Sequence, residues 1–170
     1  LLEKRSFVED KTGTRKCCGG LIAPDAQLML AKFGLGIPKS VLLSPQLFAV
    51  RALDLDNSLE RYYQKHYINV DREKFDGWLE EKVPGEVTIK NNCVYKSMEE
   101  KDGHVVVKFN QGGEEYKEKA KLLVGADGGF SNIRRKAFKD CPDPNLYIGI
   151  QEWFKTERDF NYYGAIFDRE

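Results

Sequence analysis

Alternating hydrophobic and polar positions in the middle of the chain predict an antiparallel β-hairpin. Residues 47–55 and 59–70 both have the character of strands, and the polar residues 56–58 between them predict a three-residue turn. The second strand is rich in aromatic side chains, which favour extended structure. These side chains are Tyr62, Tyr63 and Tyr67.

Two helices are predicted from their boundary residues and from the spacing of their apolar side chains. The first begins at Pro24 and ends at Gly34, which is the usual order of these two residue types around a helix. The second begins after Asp71, a typical N-cap residue, and ends at the Pro-Gly pair of residues 84–85. Its apolar residues lie three and four positions apart and therefore share one face; they are Phe75, Trp78 and Leu79.

Further strands are predicted on both sides of these elements. Residues 1–3 read as the end of a buried strand, and glycine-containing turns separate the remaining strands. These strands are predicted at residues 86–98, 105–109, 115–124, 147–154 and 162–167. A short helix is expected to begin near Ser131, after a glycine-rich turn. The pattern indicates a mixed α/β (α+β) fold.

Composition and charge narrow the class of function. The chain has 27 basic and 27 acidic residues, so its net charge gives no electrostatic argument for nucleic acid or an anionic membrane. No apolar run approaches the roughly 20 residues of a membrane-spanning helix, and the first residues lack the features of a signal peptide.

Because the sequence does not begin with Met, we expect it to start inside a longer protein. The four cysteines lack zinc-ligand spacing, from which we predict reduced thiols, no metal site and a cytoplasmic location.

The glycine-rich turn at residues 125–129 is the strongest candidate site. Glycine lets the backbone approach a ligand and adopt positive φ, and the N-terminus of the following helix offers N–H groups to an anion. Asp127 would accept hydrogen bonds at the mouth of that site. From the residues alone, the alternative is a plain strand-to-helix turn in which Ser131 is the N-cap.

Glu3 is a second candidate. In a dinucleotide-binding βαβ unit, an acidic residue at the end of the second strand binds ribose hydroxyls. Residues 1–3 have the character of that strand end, and Arg5 lies close by in sequence. Taken alone, a single glutamate is better explained as a surface residue.

Four segments together resemble FAD-dependent oxidoreductases of the geranylgeranyl reductase and para-hydroxybenzoate hydroxylase superfamily. The glycine-rich turn departs from the family fingerprint only at residues 129–130 and matches it at Gly125, Ala126, Asp127, Gly128, Ser131 and Arg134. The Cys-Gly-Gly loop of geranylgeranyl reductases is similar to Cys18, Gly19 and Gly20, and Cys17 stands where relatives often have Pro. The family pattern Arg-x-x-Phe-Asp-x-x-Leu is matched by Arg72, Phe75, Asp76 and Leu79.

The resemblance implies a role for each segment. Cys18 would lie beside the flavin as the candidate catalytic residue, with Gly19 and Gly20 against the ring. Arg72 would reach the FAD pyrophosphate, since a guanidinium pairs with phosphate in a bidentate manner. The remaining candidates for cofactor binding are Glu3 and Arg5 at the ribose, Val94 at the adenine, and Asp127 and Gly128 in the glycine-rich turn.

The resemblance also implies a domain organisation. Residues 1–40 and 66–140 would belong to a partial FAD-binding Rossmann-like domain with a β-rich insertion. Residues 41–65 and 141–170 would form the start of a substrate-domain sheet. The G-x-G-x-x-G loop and the Gly-Asp motif that binds ribitol do not occur in the sequence. We therefore expect these residues alone to be inactive and to bind FAD weakly or not at all.

The implied function is hydride transfer through flavin N5 to an unsaturated, isoprenoid-like substrate, with NAD(P)H as a candidate electron donor. Two alternatives stay open, a flavin-dependent aromatic monooxygenase and a non-enzymatic binding or interaction module. A small hydrophobic molecule is the expected partner, and nucleic acid is not expected. Peripheral membrane contact of the parent protein is a further hypothesis, as is a homodimer that covers exposed sheet edges.

Overall fold

The computed structural model describes residues 1–6, 18–157 and 160–169; Cys17 and most of the loop predicted at residues 6–16 lie outside them. The described chain has the mixed α/β fold that the sequence predicts. In chain order, its elements are β1 (Leu21–Ile22), α1 (Pro24–Lys32), a 3-10 helix (Lys39–Val41), β2 (Leu47–Asp54), β3 (Leu59–Asn69), α2 (Arg72–Glu80), β4 (Cys93–Lys101), β5 (His104–Gln111), β6 (Glu114–Ala120), α3 (Asn132–Ala137) and β7 (Tyr163–Phe167).

These elements form two compact units. The first unit comprises residues 1–6 and Pro84–Ile150, and the second comprises residues 18–83, 151–157 and 160–169. The first unit contains a three-stranded sheet and α3, and the second contains a four-stranded sheet with α1 and α2. The division into an FAD-binding part and a substrate part is a statement about function that these units do not test, so it stays a prediction.

The sheet of the second unit is built around the predicted hairpin. Its strand order is β1-β3-β2-β7, with β7 parallel to β2 and the other pairs antiparallel. The hairpin is confirmed, although its turn spans the four residues 55–58. Asp54 stabilises this turn because its carboxylate accepts hydrogen bonds from the backbone and the side chain of Asn57. Ser58 has a positive φ of 51°, which completes the reversal.

The helix α2 begins where the sequence predicts and packs its apolar face into a small core, but it ends at Glu80, before the predicted end at residues 84–85. The Asp71 carboxylate accepts the backbone N–H groups of Glu73 and Lys74 at 3.0 and 3.2 Å, which confirms the predicted N-cap. Half-buried Leu79 packs against this core. The buried members of the core are Ile22, Val41, Val70, Phe75 and Trp78.

The helix α1 also has the predicted start, at Pro24, and is followed by Gly34 in a left-handed conformation with φ of 69°. The Gln27 side-chain amide donates to the carbonyl oxygens of Ile22 and His66, so α1 is anchored to both β1 and β3. The helices are short, and none in the described part of the chain has the length and apolar character needed to cross a bilayer.

The first unit contains an antiparallel meander in the order β4-β5-β6. Its centre is Phe109, which has no solvent exposure and stacks on Tyr116 with a ring-centroid separation of 5.9 Å. The strand predicted to begin at residue 86 begins only at Cys93. Residues 86–92 instead carry one isolated parallel bridge, between Leu2 and Lys90.

Two predicted strand segments are absent from the described structure. Residues 121–124 and 147–154 have apolar sequences but no regular secondary structure. Leu122 and Val124 are 78% and 77% exposed, and Tyr147 and Ile148 are each 92% exposed. A strand needs a hydrogen-bonded neighbour as well as a suitable sequence, and the described residues supply no such ladder at these positions. These strand predictions were therefore wrong, whereas β7 confirms the strand expected at 162–167.

Candidate functional site

The second glycine of the Cys-Gly-Gly segment is held against the end of β3. The backbone N–H of Val70 donates to the carbonyl oxygen of Gly20 at 2.9 Å. Gly20 has φ of 74°, and a Cβ at this position would overlap the carbonyl oxygen of Val70. The residue must therefore be glycine for two reasons, a left-handed backbone and a close approach of two chains.

The first residue of α2 connects this segment to the helix. Nη1 of Arg72 donates to Sγ of Cys18 at 3.5 Å, and Nη2 donates to Oδ1 of Asp76 at 2.7 Å. Nε of Arg72 is buried and has no hydrogen-bond partner among the described residues. The guanidinium therefore retains one N–H that an additional acceptor can satisfy, in contact with a thiol.

The structure brings together four of the sequence-predicted site residues in the second unit. Cys18, Gly19 and Gly20 lie on one segment, and Arg72 reaches it from α2. Apart from its chain neighbours, none of the described residues comes within 4 Å of the position that a Cβ of Gly19 would take. Cys18 and Arg72 are in direct contact, and that they belong to one functional site stays a prediction. Their roles toward a cofactor stay predictions.

Asp76 is the residue whose importance the sequence reasoning missed. It was part of the matched pattern, yet no role was assigned to it. Its side chain is only 9% exposed, and it forms an ion pair with Arg72 across one helical turn. The i to i+4 spacing of opposite charges on a predicted helix was the available signal.

In the first unit, Glu3 lies on the edge of a short parallel pairing with residues 90–93. Its N–H donates to the carbonyl oxygen of Lys90, and its carbonyl oxygen accepts from the N–H of Cys93, both at 2.9 Å. The Glu3 Oε1 atom accepts from the backbone N–H of Arg5 at 2.9 Å and lies 3.3 Å from its Nε. Val94 follows Cys93 directly and is 43% exposed.

The structure therefore joins three further candidates, Glu3, Arg5 and Val94, at one edge of the first unit. The pairing explains why residues 1–3 have the character of a strand end, which the sequence predicted. The Glu3 carboxylate uses one oxygen to hold Arg5. This arrangement is compatible with a ribose-binding acid, and that role stays a prediction.

The contacts of Asp127 contradict the expectation that the N-terminal N–H groups of α3 are open to an anion. Its Oδ2 atom accepts the backbone N–H groups of Asn132 and Ile133 at 2.9 and 3.3 Å, and its Oδ1 accepts the hydroxyl of Ser131. The Ser131 Oγ in turn accepts the N–H of Arg134 at 2.9 Å, which confirms Ser131 as the N-cap. The N-terminal N–H groups of α3 are thus occupied by the chain's own carboxylate rather than open to an anion. The prediction of open N–H groups was wrong because the turn folds Asp127 back over the helix.

The electrostatics of Asp127 follow from these contacts. Partial desolvation by itself would raise the pKa of Asp127, which is largely exposed, but hydrogen bonds from Ser131, Ile133 and Asn132 outweigh it, so the pKa lies below its ordinary value. The pKa of Tyr95 is raised, first by burial and then by the negative charge of Asp127. The carboxylate is therefore ionised at neutral pH and faces β4.

For Gly125 and Gly128 of this turn, the structure gives two different reasons for glycine. Gly128 has φ of 88°, a conformation that favours glycine. Gly125 has no such backbone requirement, but a Cβ there would stand 2.8 Å from Cγ2 of Ile133. The close approach of the turn to α3 gives a structural reason for Gly125, and an approach to a ligand stays a prediction. Asp127 and Gly128 stay candidates for cofactor binding.

No metal centre is indicated: the described ranges contain no cluster of three or more His, Cys, Asp or Glu side chains that could hold an ion.

No family model matches the sequence. The protein CbrA of Escherichia coli strain HS is 38% identical over 160 residues, which are 93% of this chain and 43% of that protein. The CbrA proteins of Escherichia coli K12 and Shigella sonnei are 38% identical over 158 residues, 92% of this chain and 44% of each protein. The chain thus spans less than half the length of these curated relatives.

Solved structures share the fold at low sequence identity. A geranylgeranyl bacteriochlorophyll reductase-like protein from Thermoplasma acidophilum matches with a TM-score of 0.58 and 18% identity, over 75% of this chain and 32% of that one. The p-nitrophenol 4-monooxygenase PnpA from Pseudomonas putida matches at 0.60 and 16%, over 81% and 36%. The flavin-dependent halogenase CmlS matches at 0.60 and 19%, over 80% and 26%. The chain therefore has the fold of a part of these enzymes.

Proposed function

We propose that this chain is part of an FAD-dependent oxidoreductase of the geranylgeranyl reductase-like type. The observation that carries the proposal is the contact of Arg72 with Cys18, in a segment whose Gly19 has open space at its Cβ position among the described residues. A planar cofactor needs a segment with small side chains, and its phosphates need a guanidinium. The segment at residues 18–20 and the first turn of α2 supply both.

The donor set fits a dinucleotide phosphate at Arg72. A buried N–H without an acceptor costs roughly 1–3 kcal/mol, and Nε of Arg72 is such a group in this structure. A phosphate oxygen would satisfy it. When bound, FAD would supply hydride transfer at the flavin N5, while the chain would bind and orient it.

For the first unit by itself, we propose contacts to the adenosine part of a dinucleotide. Glu3 would accept hydrogen bonds from ribose hydroxyls, with Arg5 held beside it and Val94 contributing its backbone at the adenine. Asp127 would act through the shape of the turn, because both of its oxygens are engaged by Ser131 and α3. Gly128 would allow that turn to pass close to the cofactor.

The substrate is proposed to be a small, apolar, unsaturated molecule. The four-stranded sheet supports this because its aromatic side chains are exposed instead of packed inside: Phe48 59%, Tyr62 62%, Tyr63 49% and Tyr163 42%. Such surfaces bind apolar groups well. An aromatic monooxygenase is the second candidate, since the likeness to the monooxygenase PnpA is as close as that to the reductase-like protein.

The test is FAD titration of the natural polypeptide that contains this sequence, expressed at its full length. We expect flavin absorption in the purified protein, and a Kd for FAD that rises about tenfold or more in R72Q, because hydrogen bonds to charged groups contribute about 1.5–3 kcal/mol. The matched control is R51Q, since Arg51 is also paired to a carboxylate at 2.7 Å but lies on the exposed sheet. A colourless protein that takes up no FAD would refute the proposal.

Identifying the reaction products distinguishes the reductase from the monooxygenase. Reduced holoprotein is incubated without oxygen with an isoprenoid, and separately with oxygen and a phenol. A saturated isoprenoid identifies the reductase, and a hydroxylated phenol identifies the monooxygenase. NAD(P)H is tested in the same assays as the source of electrons.

A further inference from the structure

Asp76 is a buried carboxylate on the helix that carries Arg72. Its side chain is 9% exposed, and Oδ1 lies 2.7 Å from Nη2 of Arg72, which is itself 22% exposed. Breaking a buried ion pair leaves an uncompensated charge in a poorly solvated place. The pair is therefore kept together, and α2 fixes the distance between its two members because they lie one turn apart.

The ion pair also determines which way the guanidinium points. The group is planar and presents its N–H donors in a rigid fork. Asp76 accepts a hydrogen bond from one branch of that fork. The Cζ atom of Arg72 lies 5.8 Å from the centre of the Phe75 ring. With these two constraints, Nη1 is directed at Sγ of Cys18.

We propose that Asp76 is a positioning residue that holds the Arg72 guanidinium against the Cys18 thiol and so raises the reactivity of that thiol. A cation in contact with sulfur stabilises the negative charge that develops there when the thiol reacts. Asp76 acts through Arg72, since its own negative charge would have the opposite effect on the sulfur. The proposal rests on the proposed function in one respect, namely that Cys18 lies beside the flavin.

The test is a double-mutant cycle of D76N and R72Q, read out as the rate of alkylation of Cys18 by iodoacetamide. In this reaction sulfur forms a bond to the methylene carbon, iodide leaves and the thiol proton passes to solvent. The full-length natural polypeptide is used with Cys17→Ser, so that the peptide identified by mass spectrometry reports Cys18 alone. The matched control is E60Q, because Glu60 has the same 2.7 Å distance to an arginine, Arg51, on the exposed sheet.

With Arg72 present, D76N is expected to slow alkylation at least about threefold, since members of one ion-pair network are energetically coupled. In the R72Q background, the same change is expected to leave the rate unchanged or to raise it. E60Q should leave the rate as it is. If D76N changes the rate by the same factor in both backgrounds, Asp76 acts by its charge alone and the proposal is overturned.

A second variant covers the case in which D76N does not fold. R72K keeps the positive charge but loses the fork that Asp76 and Cys18 share, so it is expected to slow alkylation by a similar factor. An unchanged rate in folded R72K would overturn the proposal. Urea unfolding of every variant establishes that the comparison is made between folded proteins.

FAD titration separates the two possible failures. If the natural polypeptide takes up no FAD, the proposed function fails, and the alkylation cycle still decides whether Asp76 positions Arg72. If FAD binds and the cycle shows no coupling, the positioning proposal fails alone. If both hold, D76N is expected to weaken FAD binding at least about threefold as well, because it releases the arginine assigned to the phosphate.

Discussion

Gly20 and Val70 approach each other so closely that only glycine fits at position 20. The Val70 N–H donates to the Gly20 carbonyl oxygen at 2.9 Å, and a Cβ on residue 20 would overlap the carbonyl oxygen of Val70. The contact joins the end of β3, one of the most buried points of the second unit, to the segment that carries Cys18. Backbone packing therefore positions the candidate thiol.

Replacing Gly20 by Ala is expected to destabilise the protein by about 2 kcal/mol or more. A left-handed residue with a Cβ costs about 1–2 kcal/mol, and overpacking adds about 1–3 kcal/mol. The measurement is the free energy of unfolding in urea. Gly19→Ala is the control, because nothing lies within 4 Å of its Cβ position, and it should cost less than about 1 kcal/mol. Equal effects of the two substitutions would contradict the packing argument.

Replacing Gly125 by Ala is expected to cost about 1–3 kcal/mol, the usual range for overpacking. The new Cβ would stand 2.8 Å from Cγ2 of Ile133 and 3.0 Å from its Cβ. Because Ile133→Ala removes Cγ2, the double variant should recover part of the loss in a double-mutant cycle of thermal unfolding. Gly129→Ala meets nothing within 4 Å and serves as the control. Additive costs of G125A and I133A would show that the two residues do not meet.

Asp127→Asn is expected to destabilise the first unit in a pH-dependent way. The folded pKa of Asp127 is lowered, so its stabilising contribution is present above the unfolded value of about 3.9 and is lost as the pH falls through the folded pKa. At pH 7 the cost should be about 0.5–1 kcal/mol, at the low end for a lost helix cap because the residue is exposed.

Urea unfolding at several pH values between 7 and 3 checks this prediction. The difference between the wild-type protein and D127N should shrink once the pH falls below about 4. Asp140→Asn, on the exposed stretch after α3, is the control and should change the unfolding free energy at neutral pH by less than about 0.5 kcal/mol. A D127N cost that stays constant down to pH 3 would contradict a capping role for the charge.

Phe109→Ala is expected to cost about 3–5 kcal/mol because it empties the centre of the three-stranded sheet. Phe109 is fully buried and stacks on Tyr116. Phe48→Ala is the control, since Phe48 is 59% exposed on the other sheet and should cost less than about 1 kcal/mol. Near-ultraviolet circular dichroism and urea unfolding measure both. Similar losses for the two substitutions would contradict the central packing of Phe109.

Local elements were predicted well where neighbouring residues alone determine them. Asp71 and Ser131 cap their helices as expected, and the hairpin is present. The strand β7 also formed, because the distant β2 supplies its hydrogen-bonded partner. The strand predictions failed where the described residues supply no such partner. Residues 121–124 and 147–154 have strand-like sequences, yet the described chain offers them no hydrogen-bonded neighbour.

In the candidate site, too, some features were predicted from the sequence and others are known only from the structure. The contact between Cys18 and Arg72 joins two segments that the sequence had singled out separately. Asp127 was singled out too, but its engagement with α3 could not be read from the sequence, because it depends on the path of the turn through Gly128. The i to i+4 spacing in the sequence allowed a pair of Asp76 with Arg72, but the 2.7 Å contact and the burial of Asp76 are known only from the structure.

Amino-acid order alone therefore determined where the helices begin, the hairpin and the residue types suited to holding a dinucleotide, because capping, alternation and side-chain chemistry act over a few residues. Tertiary structure decided where α2 ends, which side chains are engaged by another segment, as Asp127 is by α3, and which keep a donor without an acceptor among the described residues, as Arg72 does. The physical reason is that hydrogen bonding and burial depend on distances in space between segments, which a linear pattern does not contain.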